Sequence, residues 1–214
     1  MIPQNHPIHW SKDIIYITGS PSPKDIYWAA NAYHTIYKQG YPFITLNFME
    51  CRAVFESFML PLVCLAQKYR YEFNVQTTLA LPNDPKLKAL FHNSNWQHLI
   101  EPETYEASTF IQDKHVPTFQ FKKGDGQKEV VDKVMNAVLS SLAGLTRHSL
   151  KALEWSVNEI TDNVLNHAKS NVGGFLQATT FSEKKMVEFV VADAGIGIAK
   201  SLGMKGQKEA LEAA

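Results

Sequence analysis

The chain has little cysteine, no excess charge of either sign and no long hydrophobic run. Its two cysteines, Cys51 and Cys64, form no CxxC pattern and stand near no suitable histidine pair, so no zinc site is implied. Two isolated thiols in apolar surroundings predict a reduced, cytoplasmic protein. Lys plus Arg total 21 and Asp plus Glu total 21, a formal charge of zero. Nucleic acid is therefore not an expected partner, because that grip needs clustered basic side chains to displace counterions. The longest apolar run, Phe58 to Ala66, is interrupted by Pro61 and is far too short to span a bilayer, so no membrane is expected. Met1-Ile-Pro-Gln-Asn-His6 lacks a basic segment followed by an apolar stretch, and no secretory signal is read there. Internal repeats and low-complexity segments are also missing.

What is present suits an α/β protein of two modules. The 214 residues suffice for one large domain or two small ones. The first module spans residues 10–105. Strands are expected at Asp13 to Thr18, Phe43 to Phe48 and Phe73 to Leu81, with helices at Lys24 to Lys38, Phe55 to Tyr69 and Asp84 to His92. Asp84 suits the cap of the last helix and Pro85 its first position. Residues 106–126 read as a connector, with one strand over Val116 to Phe121. The second module, 127–214, opens with a helix from Gln127 to Ala143, broken by Gly144. A second helix follows from Arg147 to Ala168. Strands at Phe175 to Phe181 and Met186 to Ala192 then form a hairpin. His6 and His9, spaced HxxH, read as a metal pair or as part of a segment expected to fray, and Trp96 sits at a core edge.

The chemistry concentrates in the second module. Leu150, Leu153, Val157, Ile160 and Val164 recur at spacings of three and four and predict a core face. Glu159, Asn163 and His167 stand four apart on a neighbouring face, as a solvated polar stripe or as groups turned to one ligand. Further on, the strand ending at Ala192 runs into Asp193-Ala-Gly-Ile-Gly197. Glycine lets a backbone approach a flat or phosphorylated ligand, and a carboxylate accepts from an amino group such as that of adenine. An ordinary turn also favours Asp and Gly.

Together, Asn158-Glu-Ile-Thr-Asp-Asn-Val-Leu-Asn-His167 and Asp193-Ala-Gly-Ile-Gly197 resemble two motifs of the GHKL ATPase superfamily, which includes the anti-sigma-factor serine kinases. The resemblance covers Gln127 to Ile198 and implies a partial GHKL α/β sandwich that takes ATP and Mg²⁺. Asn163 would coordinate the Mg²⁺ that bridges the phosphates, and Glu159 would be the general base. Asp193 would bind the adenine amino group, and Gly195 and Gly197 would shape its pocket. His167 faces the phosphates or simply complements the helix dipole. Asp162 and Asn166 face solvent or support their neighbours. GHKL proteins carry a lid and further Gly-rich motifs beyond this point. The sequence given ends at Ala214, which implies a truncated or degenerate relative.

The first module is similar in layout to a STAS domain. STAS domains often carry a phosphorylatable Ser at the start of the helix after the central strand. Ser57 falls there, as a phosphosite or as a residue that caps or begins the helix. Asn47 stands where the family has Asp. A STAS-like module joined to a GHKL module implies an ATP-dependent regulatory protein of partner-switching signalling, with a regulatory protein partner and room for a homodimer. The other reading is a non-catalytic interaction module on an ATPase scaffold. A sensor histidine kinase is disfavoured, because none of the eight histidines is followed by an acidic residue.

Overall fold

The computed structural model describes residues 6–108, 115–122, 125–141 and 144–197. The tail from Lys200 onward, a candidate for the start of a lid, lies outside these residues. The chain divides into two compact units, Met1–Phe110 and Ile111–Ala214, each mixed α/β with its own sheet.

In the first unit the order is β1 (Ile8–Ser11), β2 (Ile14–Ile17), α1 (Ile26–Lys38), β3 (Phe43–Asn47), α2 (Glu56–Phe73), β4 (Gln76–Ala80), α3 (Pro85–Asn93) and α4 (Trp96–Ile100). The sheet runs β1-β2-β3-β4, with β1 antiparallel to β2 and the other pairs parallel. Alternation puts Ile15, Ile17, Ile44, Leu46 and Thr77 on a buried face. Tyr33 of α1 is buried too, and its hydroxyl lies 3.2 Å from Thr77 Oγ1.

Three expectations need correction here. The segment around His9 is a strand, not a frayed end. Lys12 takes φ +55° in the turn that folds β1 onto β2, and Ile8 is fully buried opposite Ile17. The predicted strand from Phe73 begins late, because α2 runs on to Phe73 and stops only where Asn74 turns left-handed at φ +53°. Trp96 is a core residue at 0% exposure, edge-on to Phe91 with ring centroids 5.5 Å apart. Asp84 does cap α3, its carboxylate accepting from the Leu87 amide at 2.8 Å, with Pro85 first in the helix.

In the second unit the order is β5 (His115–Phe121), α5 (Asp125–Ser141), a 3₁₀ turn (Arg147–Leu150), α6 (Lys151–His167), β6 (Gly174–Phe181) and β7 (Met186–Asp193). The three strands form an antiparallel sheet with β6 in the centre. The strand read within the connector is thus β5, paired along β6. Leu176 and Ala178 of β6 join Val130, Val134 and Val138 of α5 and Val157 and Val164 of α6 in one apolar core. Gly174 permits this packing, since a Cβ there would lie 2.7 Å from Val164 Cγ1 and 2.8 Å from Phe121 Cε1. Thr146 and Ser149 close the entry to α6 reciprocally, the Thr146 amide donating to Ser149 Oγ at 2.9 Å.

Candidate functional site

The buried residues of α6 are Val157, Thr161 and Val164, with Ala168 just beyond, at spacings of four, three and four. Ile160, expected on this face, is 39% exposed. Its place is taken by Thr161, whose hydroxyl is satisfied by the Val157 carbonyl at 2.9 Å. At 3.6 residues per turn, Asn163 lies roughly 130° around the helix from the centre of that stripe. Glu159, Asn163 and His167 are all exposed and successive along this outward side. Trp155, at 66% exposure, also lies outside the core.

The other half of the candidate site begins where β7 ends. Asp193, exposed, accepts the Gly195 amide at Oδ1 across 2.7 Å, so the carboxylate closes its own turn. The next amide, Ile196, donates to the Ala168 carbonyl at 2.8 Å. Gly195 makes that approach feasible: a Cβ on it would lie 2.6 Å from the Ala168 carbonyl carbon. The turn is therefore seated on the C-terminal end of α6. Ala168 directly follows His167 and lies about 7.5 Å along the helix axis from Asn163, at 1.5 Å per residue. The turn meets α6 at Ala168, one residue beyond His167 and five beyond Asn163, while the Asn163 side chain projects from the outward side of the helix. Gly197 takes φ +74°, and among the described residues nothing lies within 4 Å of the place a Cβ would occupy on it.

Mg²⁺ keeps several waters and takes one or two protein oxygens besides phosphate, and the exposed Asn163 carboxamide offers one oxygen. Among the described residues no group of three or more His, Cys, Asp or Glu is arranged to hold a metal by itself. His6 Nε2 is engaged by Asp25 at 3.2 Å, and the His9 ring stacks on Tyr16.

A cleft of about 400 Å³ lies between α5 and α6 on a different side of α6. Gln127, Asp132, Arg147, Glu154, Asn158 and Asp162 line it, but Glu159, Asn163 and Asp193 do not. Arg147 bonds both Asp132 and Glu154 at 2.7 Å. These bonds hold its guanidinium pKa up and pull the Glu154 carboxyl below its usual range. Gln127 donates to Asp162 at 2.9 Å, which gives Asp162 a structural partner. Sequence reasoning missed this network because its members come from different helices. The one local signal is Arg147 and Glu154 seven residues apart, two helical turns.

In the first unit, Ser57 is half-buried in the first turn of α2. Glu56 begins that helix, and its cap position is held by Phe55 without a side-chain bond. Asn47 accepts the Met49 amide at 3.0 Å. A second cavity of about 620 Å³, lined by Thr18, Gly19, Glu50 and Arg52, lies beyond the carboxyl ends of β2 and β3.

No family model matches the chain, and neither a curated protein nor a solved structure matches it. Among the described residues no helix is long and apolar enough to cross a membrane.

Proposed function

We propose that the unit Ile111–Ala214 binds ATP with Mg²⁺ in the GHKL manner, and that the chain is an ATP-dependent regulatory protein of partner-switching signalling whose first unit is STAS-like. One observation carries the reading: the Asp193 turn sits on the end of the helix that presents Glu159, Asn163 and His167, through the Ile196 amide and the Ala168 carbonyl at 2.8 Å. The turn of the second motif is thus fastened to the end of the helix that carries the first.

In this reading Asp193 accepts from the adenine amino group, and Gly195 and Gly197 border the base. Asn163 holds Mg²⁺, which neutralises charge on the phosphates. His167 stands one turn beyond Asn163, on the phosphate side. Glu159 orients and deprotonates the attacking water or substrate hydroxyl. Ser57, near the start of α2, is the candidate phosphosite of the STAS-like unit.

Titration with Mg-ATP tests the assignment. Asp193→Ala is expected to abolish binding, and Glu159→Ala to bind without turnover. Equal affinity in wild type and Asp193→Ala would remove the assigned pocket.

A second reading, a non-catalytic interaction module, is favoured by the exposure of Trp155 and Ile160 on α6. Lack of any ATP-induced rise in melting temperature at millimolar nucleotide would support it over the first.

A further inference from the structure

The outward side of α6 carries a large side chain that the fold does not use. Trp155 is 66% exposed. Val157, Thr161 and Val164 fix the inward direction of the helix, and Trp155 lies roughly 150° around the helix from their stripe. An indole ring buries a large apolar area when it is covered, and tryptophan is among the residues most enriched where protein surfaces bind.

The charges around Trp155 have opposite signs in the two directions along the helix. Lys151 stands four residues before it and Glu159 four after, and both are exposed. Neither forms an ion pair among the described residues. Glu154, three residues after Lys151, is bonded instead to Arg147 at 2.7 Å. Exposed His148 and Asp162 follow at seven residues to either side, a nitrogen donor at the basic end and a carboxylate at the acidic end. Ala152, exposed and small, leaves a flat place one turn before the ring.

We propose that this side of α6 is a docking surface for a second copy of the chain, the two α6 helices lying antiparallel about a two-fold axis at Trp155. A face that is basic before its central residue and acidic after it is complementary to itself when turned end for end. Lys151, about 6 Å before Trp155 along the axis, then meets the partner's Glu159, about 6 Å after its own ring. Symmetry repeats the pair on the other side. The two rings meet at the centre, each against the partner's Ala152. A parallel arrangement would set like charges side by side, and a nucleic acid or an anionic lipid surface would be repelled by Glu159 and Asp162.

One helix face against another is small beside a standard interface, so the dimer is weak, with a Kd on the order of 0.1 mM. Its exposed ion pairs make it weaker still as salt is added. The pairing needs no ligand and holds whether or not the second unit binds ATP. It engages Glu159, so a paired chain does not offer that carboxylate to a substrate.

Sedimentation velocity of the full chain without nucleotide, over a series rising to about 0.5 mM, tests the pairing. Wild type is expected to pass from monomer to dimer across the series. Trp155→Ala should weaken association more than about thirtyfold, as loss of a central anchor does. Lys151→Glu and Glu159→Lys each replace two attractions by two repulsions and should weaken it about tenfold or more. All three side chains are exposed, so thermal melts should show the variants folded like wild type. The decisive sample is an equimolar mixture of Lys151→Glu and Glu159→Lys chains. Each is monomeric alone, and together they should associate, because every facing pair is again of opposite sign. The inference is overturned if wild type stays monomeric throughout, which would leave the face to a different protein. It is equally overturned if the three variants associate as wild type does, or if the mixture of the two reversed chains stays monomeric.

Discussion

The Ile196 amide donates to the Ala168 carbonyl across 2.8 Å, fastening the turn after β7 to the end of α6. The carbonyl sits where a Gly195 side chain would otherwise be, since a Cβ would come within 2.6 Å of the Ala168 carbonyl carbon. Backbone cannot swing aside as a long side chain can. Gly195→Ala is expected to destabilise the second unit by about 1–3 kcal/mol through overpacking. Gly197→Ala, at φ +74° and clear of the described residues, should cost about 1 kcal/mol from backbone strain. Denaturant melts of the two variants check the ranking, and equal stability would contradict it.

The first unit depends on a different contact. Trp96 and Phe91 are both fully buried, and Phe91 in turn meets Phe48 edge-on at 4.9 Å. Trp96→Ala should cost about 3–5 kcal/mol by cavity formation. A loss below about 1 kcal/mol in chemical denaturation would mean that Trp96 is not a core residue.

His115 gives the second unit a pH dependence. Burial lowers its pKa below the ordinary 6.5. The unfolded chain therefore binds more protons than the folded one between that lowered value and about pH 6.5. Stability is fully present above about pH 6.5 and falls as the pH drops through that window. Melting temperatures from pH 7.5 downward should show this slope, and His115→Phe should flatten it.

The Cys51 thiol is buried and donates to the Gly19 and Ala53 carbonyls at 3.4 Å. Burial pushes its pKa up to about 11. At pH 8 only about one thiol in a thousand is then ionised. Cys64 is also buried. Native protein should react with a thiol-specific disulfide reagent only on unfolding, and rapid labelling at pH 8 would contradict the packing around Gly19.

The legible parts of the fold were those with strong periodicity. α6 and the β6–β7 hairpin follow from apolar spacing and a polar four-residue link, and Asp84-Pro85 announces α3 by its own cap chemistry. β1 was not legible, because four residues containing His9 and Ser11 give too short an alternation and its burial comes from pairing with β2. The last turn of α2 was hidden because Tyr69, Tyr71 and Phe73 suit a strand as well as a helix. Tertiary contact among Tyr37, Tyr69 and Phe73 decides for the helix. At the candidate site the polar stripe on α6 was legible from spacing alone. The seat of Gly195 on Ala168 was not, since it joins residues 27 apart through backbone atoms that every sequence shares.

The central claim is that α6 and the Asp193 turn serve opposite ends of one nucleotide. Amide NMR of the chain with Mn²⁺-ATP in place of Mg²⁺-ATP tests it most directly. Paramagnetic broadening should centre on Asn163 and His167, while the shifts caused by the adenine ring centre on Asp193 to Gly197. Broadening centred on the cleft of Arg147 and Glu154, or no change at either motif, would contradict the account.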